Sequence, residues 1–208
     1  MTKNKSVIVV GGGAAGLMSA IHSAWSGAEV IIFEKNSRPA RKVLITGKGR
    51  CNVTNNCSIE TVMNNTPTNP KFLYSALNRF SPEDTMSFFE MLGVELKTER
   101  GNRVFPVSDK AKDIADALIN CAESAGCSIY EKNIKSLIIE NNTIKGVKDS
   151  NGVEYFADSV ILACGGASYP KTGSDGYGYV LARQAGHTVT KIKPSLVPLE
   201  SIESYCCD

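Results

Sequence analysis

No two of the seven cysteines are spaced C-x-x-C. Cys51 and Cys57, Cys121 and Cys127, Cys164, and the adjacent Cys206 and Cys207 give neither a metal-ligand pattern nor a disulfide framework. An odd count without a credible signal peptide fits a reducing cytoplasm. A dense basic tract is also missing, and the net charge is only +2, which argues against a nucleic-acid partner. There is no internal repeat and no low-complexity segment. Histidine is scarce, at two residues. His22 falls on a helical stretch and reads as structural. His187 follows a glycine at a helix end and precedes Thr188-Val189-Thr190. It reads as a strand-edge residue with one backbone hydrogen bond rather than as a general acid. The uncharged run from Ser6 to Ala28 has the length of a membrane span. Three consecutive glycines, several serines and His22 lower its hydropathy, and the membrane reading is set aside.

What the sequence does contain is concentrated near its start. The apolar run Ser6-Val7-Ile8-Val9-Val10 leads into Gly11-Gly12-Gly13-Ala14-Ala15-Gly16, then Leu17-Met18-Ser19-Ala20-Ile21. This is G-x-G-x-x-G between a strand and a helix. Gly11 permits a sharp turn off the strand. Gly13 lets a pyrophosphate approach the backbone, and Gly16 lets the helix pack tightly on the sheet. The helix N-terminus adds free N–H groups and the positive end of its dipole. Leu17, Ile21 and Ala24 form one helix face, and Gly27 ends it. A second apolar run, Val30 to Phe33, closes on Glu34. That acid lies about 20 residues past the loop, the offset at which a carboxylate accepts from an adenosine ribose and repels a 2′-phosphate.

With 208 residues and 42% hydrophobic content, the chain suffices for one large domain or two small ones. Lys35 to Asn69 is irregular, and so long a stretch is usually functional; Asn52–Asn56 and Asn64–Asn69 read as loops. Asn69-Pro70 and Ser81-Pro82-Glu83-Asp84 start two helices. Val94–Lys97 and Asn102–Val107 read as short strands, and Asp109–Ala125 as a helix closed by Gly126. The period then changes to two. Cys127–Tyr130, Ile134–Glu140, Thr143–Asp149 and Val153–Phe156 read as strands, with turns at Asn141-Asn142 and Ser150-Asn151-Gly152. Asp158 to Gly166 reads as a final buried strand running into glycines, and Ser174-Asp175-Gly176 opens one more helix. Lys110 and Lys112 read as a solvated helix start.

A β-α-β start, a three-stranded antiparallel insertion and a strand ending in Ala163-Cys164-Gly165-Gly166 resemble the two-dinucleotide-binding-domain flavoproteins. The resemblance narrows with four motifs taken in order: Gly11 to Met18; Lys42-Val43-Leu44-Ile45-Thr46-Gly47-Lys48-Gly49-Arg50-Cys51-Asn52-Val53-Thr54-Asn55; Arg103-Val104-Phe105-Pro106; and Gly165 to Ser174 followed by Gly186-His187-Thr188. Together they are similar to the bacterial BaiN-type, aminoacetone-oxidase-like NAD(P)/FAD-dependent oxidoreductases. The resemblance implies an α/β, Rossmann-like FAD-binding domain of the glutathione-reductase type, with a parallel sheet and a small antiparallel β-meander. It implies this domain over residues 1–192, incomplete for want of a C-terminal return segment. Residues 193–208 would be a junction towards a missing substrate domain.

The resemblance also assigns roles. Gly11, Gly13, Ala14, Ala15 and Gly16 would hold the FAD pyrophosphate, and Glu34, with Lys35 beside it, the adenosine ribose. Arg41 and Lys42 would neutralise phosphates, the alternative being a solvated pair. Thr46, Gly47, Gly49, Arg50, Cys51, Asn52 and Thr54 would line the ribityl and isoalloxazine side. The Ile134 backbone would pair with adenine, and Ala163 and Gly165 would approach the phosphate again. Outside what the resemblance assigns, Arg103, Phe105, Pro106 and Tyr177 are candidates to face flavin or substrate. Cys51 and Cys57 are spaced C-x5-C, not the C-x4-C of disulfide reductases. Arg50 beside Cys51 would lower a thiol pKa, yet a buried structural cysteine is the preferred reading. The expected activity is hydride transfer between NAD(P)H, FAD and an unsaturated or carbonyl-conjugated small molecule. The alternatives are a non-catalytic nucleotide-binding fragment and a flavin-dependent RNA-modifying protein, the latter opposed by the missing basic tract.

Overall fold

A computed structural model describes residues 4–194. The expected junction at 193–208 and the cysteines Cys206 and Cys207 lie almost entirely outside the described residues. The chain opens with β1 (Ser6–Val10), α1 (Ala14–Trp25) and β2 (Glu29–Glu34), as the hydrophobic period predicts. Val43–Gly49 is a kinked 3-10 segment. There follow β3 (Thr54–Asn55), α2 (Ile59–Asn64), a 3-10 turn at Pro70–Leu73, α3 (Tyr74–Arg79), α4 (Pro82–Met91), β4 (Leu96–Glu99), β5 (Arg103–Pro106) and α5 (Ala111–Ser124). The last third contains β6 (Ser128–Glu131), β7 (Ile134–Glu140), β8 (Thr143–Asp149), β9 (Glu154–Phe156), β10 (Ser159–Leu162) and α6 (Tyr177–Gln184).

Three sheets result. The central one is wholly parallel, in the order β10-β1-β2-β6, and β7-β8-β9 is an antiparallel meander. Left-handed backbone at Asn141 and Asn142 closes the β7–β8 hairpin, as the Asn-Asn pair suggests. The architecture is a Rossmann-like fold of the FAD-binding type. One face of the parallel sheet packs on α1 and α5 through Leu17, Ala20, Ile21, Ile114, Leu118 and Ala122. The other face presents Ile8, Val10 and Phe33 to Val147 and Ile134 of the meander and to Leu181 of α6. Parallel strands covered on both faces explain the continuous apolar run of β1. His22 packs edge-on against Trp25 and Phe80, as a structural residue would.

Several expectations change. Thr54 and Asn55, read as loop, pair with β5 and complete the third sheet, β3-β5-β4. The strand read at Val94–Lys97 sits two residues later, because the ladder to β5 sets its register. The helix begun at Asn69-Pro70 breaks into a 3-10 turn and a short α-helix. β10, read as buried, is half-exposed, because it lies at the sheet's edge. His187 is exposed coil rather than a strand edge; its N–H donates to Ala182 O at 3.0 Å, closing α6. α4 starts at Ser81-Pro82 as read, and the structure adds a reciprocal capping box between Ser81 and Asp84. Among the described residues no helix is long and apolar enough to cross a membrane, and no three His, Cys, Asp or Glu side chains gather as a metal site.

Candidate functional site

A cleft of about 530 Å³ opens where β1, β2 and β10 end, the position at which an open parallel sheet presents its loops. Gly11 is part of its lining. It leaves β1 at φ +107°, a conformation open to glycine, and its N–H donates to Phe33 O at 2.8 Å. Gly13 caps α1 in an extended conformation with no capping side chain, and no acid follows in the first helical turn. The N–H groups of that turn have no intrahelical acceptor. A Cβ built on Gly13 would meet nothing within 4 Å, whereas one on Gly16 would lie 1.8 Å from Gly11 O. Gly13 thus leaves open space for a ligand, and Gly16 fits the helix to the loop. Gly16 is not part of the cleft lining.

Glu34 is buried at the end of β2, and its carboxylate holds the loop. Oε2 accepts from Gly12 N at 2.7 Å, and Oε1 accepts from Asn36 N at 2.8 Å and Asn36 Nδ2 at 2.5 Å. A carboxylate has about four acceptor positions, and with three used one remains, on Oε2, for a ligand hydroxyl. Lys35 pairs with Asp175 at 2.8 Å, and Arg41 Nη1 donates to Asn36 Oδ1 at 3.4 Å. Lys42 Nζ donates to Ser168 O at 2.7 Å, and partial burial lowers its pKa. Thr46 Oγ1 donates to Val43 O at 2.7 Å. Ala163 N–H donates to Val10 O at 2.8 Å, which brings the Ala163-Cys164-Gly165 turn against the glycine loop.

The cleft gathers Gly11, Gly13, Ala14, Ala15, Glu34, Lys35, Arg41, Lys42, Thr46, Ile134, Ala163 and Gly165 from the sequence-derived set. It does not gather Gly47, Gly49, Arg50, Cys51, Asn52 or Thr54, which lie past Thr46 on the way to the third sheet. Sequence reasoning did not single out Asn36, Lys132, Asn133 and Gly173 as lining residues. The glycine-rich stretch after β10 is the signal that was available for Gly173, since irregular loops at strand ends carry sites.

Arg50 is engaged elsewhere. Its guanidinium stacks on Phe105 at 4.1 Å, reaches Glu99, and donates from Nε to Asp109 at 2.7 Å. Lys97 adds a contact to Asp109 at 2.7 Å. The network ties the 3-10 segment to β4 and β5. Arg50 therefore does not activate the neighbouring thiol. Cys51 is buried in left-handed backbone, and burial pushes its pKa up against an opposing Thr46 hydrogen bond. Hydrogen bonds from Lys97 and Arg50 hold Asp109 below the usual carboxylate range, and Arg50 does the same for Glu99. A carboxylate depressed on folding stabilises the fold above its unfolded pKa and loses that contribution as pH falls through the folded one. Thermal stability should therefore decline as pH drops below the ordinary carboxylate range, near 4. Arg50→Met should flatten that decline in melts at a series of pH values; an unchanged profile would show that the network contributes nothing.

The model for the HI0933-like protein Rossmann domain matches residues 5–205. A 3-dehydro-bile acid Δ(4,6)-reductase from Clostridium scindens is 36% identical over 92% of this chain and 46% of its own length. A ribosomal RNA dihydrouridine synthase from Escherichia coli is 29% identical over 92% of this chain and 47% of its own. The chain thus spans about half the length of these curated relatives. Among solved structures, the 3-ketosteroid-Δ4-(5α)-dehydrogenase of Rhodococcus jostii RHA1 superposes with TM-score 0.67 at 16% identity, over 89% of this chain and 55% of that one. THI4 of Thermovibrio ammonificans superposes with TM-score 0.55 at 17% identity, over 89% and 64%. These likenesses concern the fold alone. With a family model matched along nearly its whole length and a curated relative at 36% identity, the chain belongs to the HI0933-like family, and the fold described above is that family's Rossmann domain.

Proposed function

We propose that the cleft holds FAD and that the chain is the flavin-binding part of an oxidoreductase that reduces a carbon–carbon double bond conjugated to a carbonyl. The open space over Gly13 at the uncapped start of α1 carries this reading. It is the room that a pyrophosphate requires, with donors aimed into it. Gly11, Gly13, Ala14 and Ala15 bind the pyrophosphate, while Gly16 holds α1 behind them. Lys42 and Arg41 neutralise its charge. Glu34, fixed by Gly12 and Asn36, accepts from the adenosine ribose, and the Ile134 backbone meets the adenine edge. Thr46 leads towards the ribityl chain and the flavin ring. Gly47, Gly49, Cys51, Asn52 and Thr54 act behind it, and Arg50 fixes the segment they occupy. Bound there, FAD supplies two-electron transfer between a reduced nicotinamide and an electron-poor double bond. The protein positions and shields.

The substrate class is supported by the relatives' names. A 3-dehydro-bile acid Δ(4,6)-reductase acts on unsaturation conjugated to a 3-oxo group, and a dihydrouridine synthase acts on the uracil double bond beside a carbonyl. The chemistry is common to both although the scaffolds differ. A small organic substrate is favoured here by the higher identity to the bile-acid enzyme and by the lack of a basic tract. NAD(P)H is the proposed donor, and the cytoplasm the proposed setting. A second reading, an RNA substrate, rests on the two ribosomal RNA dihydrouridine synthases, 29% and 31% identical. Salt-dependent RNA binding would favour it.

Titrating the purified 208-residue chain with FAD tests the proposal. The expected result is a protein-bound flavin absorption band that saturates at one FAD per chain. A chain that stays colourless and returns all FAD on gel filtration would leave a nucleotide-binding fragment without flavin function.

A further inference from the structure

One wall of the cleft carries an aromatic ring that the glycine loop does not explain. Tyr177 is the first residue of α6 and lines the cleft. Its N–H donates to Asp175 Oδ1 at 3.1 Å, and its hydroxyl donates to the backbone carbonyl of Lys135 at 2.8 Å. The Lys135 ammonium lies 4.6 Å from the ring centroid. The side chain packs against the apolar group that includes Ile134 and Leu181. Asp175 is in turn paired with Lys35, the residue after Glu34. The ring is therefore anchored at both ends, by its own backbone and by the start of β7. It is tied to the end of β2 as well. A tyrosine fixed in this way presents a flat, half-buried apolar surface with little side-chain entropy left to lose.

The surroundings indicate which part of a ligand meets it. Lys132, Asn133 and Ile134 share the lining with Tyr177 at the β6–β7 junction. Lys132 N–H donates to Glu34 O and Asn133 O accepts from Ser150 N, both at 2.8 Å, and the Asn133 side-chain amide adds a polar group to this end of the lining. With Glu34 as the proposed ribose acceptor, the base attached to that ribose would lie beside it, towards the Lys35–Asp175 pair. Thr46 and the 3-10 segment belong to the opposite direction, past Arg41 and Lys42. A flat heteroaromatic base needs a π-surface for its face and polar groups for its edge. Two aromatic residues line the cleft: Phe33 is 2% exposed and packs on Tyr155 at 4.6 Å, whereas Tyr177 is half-buried and keeps ring surface accessible.

We infer that Tyr177 is the stacking wall for the adenine of the bound dinucleotide. This rests on the reading of the cleft as an FAD site and adds the residue that makes the adenylated half contribute to affinity. Lys135 and Asp175 position the ring.

The test uses the 208-residue chain, with FAD and ADP as probes in equilibrium titrations. Tyr177→Leu should weaken both by about tenfold, the usual range for losing one base–aromatic stack. Tyr177→Phe should bind both more tightly than Tyr177→Leu, since the ring is retained and only its anchor to Lys135 O is lost. Tyr177→Trp should also bind, and ADP should quench its indole emission above the background of Trp25, which sits at the other end of α1 from the glycine loop. Equal affinity of the leucine variant and the wild type for FAD and ADP would overturn the inference and leave the FAD reading standing. A wild-type chain that takes up neither probe would overturn both. Should the leucine variant fail to fold, the tryptophan variant decides: emission unmoved by saturating ADP rejects the stack.

Discussion

Gly13→Val should abolish FAD uptake and leave the fold intact. The two halves of this expectation come from one observation, that a Cβ at Gly13 would meet no protein atom within 4 Å. The backbone there is extended, at φ −77° and ψ −175°, and a branched residue adopts that conformation without strain. Gly13 is also an N-cap with no side-chain capping bond to lose. Stability should therefore change by no more than about 1 kcal/mol, the lower part of the range for cap substitutions, because no capping hydrogen bond is lost. The valine methyls occupy the space in front of the first turn of α1, where the pyrophosphate would accept from backbone N–H groups. Hydrogen bonds to charged groups contribute about 1.5–3 kcal/mol each, so losing two of them weakens binding by roughly 100-fold or more. A thermal melt without ligand should match the wild type, and the upward shift that saturating FAD gives the wild type should vanish. A variant that binds FAD as well as the wild type would remove the glycine loop from the site.

The sequence made the elements that depend on local pattern legible. β1, α1, β7, β8 and the cap of α4 lie where period, capping residues and turn chemistry put them, because each depends on neighbours a few positions apart. What the sequence did not disclose depends on contacts between distant segments. Thr54 and Asn55 are polar and short, and only their ladder to Val104 and Arg103 makes them a strand. The neighbours of Arg50 are Glu99 and Asp109, remote in sequence, so no local pattern announces the network that holds it. The cleft shows the same division. The glycines and Glu34 are legible because a phosphate and a ribose impose fixed spacings on one βαβ unit. Asn36, Asn133 and Gly173 reach the same cavity from separate segments, and no spacing links them. Glu34 itself has a function in the fold that the motif does not express: it binds the loop through Gly12 N.

Gly16→Ala should do the opposite of Gly13→Val, lowering stability first and binding as a consequence. By helix propensity alone, alanine in α1 would stabilise the chain by about 1 kcal/mol. Packing overrides this. The added Cβ would lie 1.8 Å from Gly11 O and 2.9 Å from Gly11 C, both backbone atoms. A flexible side chain could rotate away, but this loop is held on both sides. Gly11 N–H is bound to Phe33 O, Gly12 N–H to Glu34, and Gly12 O accepts from Ala40 N. Relief requires either that α1 move off the sheet, opening the contacts of Leu17 and Ile21, or that the loop give up those hydrogen bonds. Overpacking of this kind costs typically 1–3 kcal/mol and at a backbone overlap reaches the upper end. At about 2–4 °C per kcal/mol for a domain of this size, the melting temperature should fall by roughly 10 °C. FAD affinity should fall with it, since the donors of the first turn move with the loop. An unchanged melting temperature would mean that α1 does not sit against the loop as described.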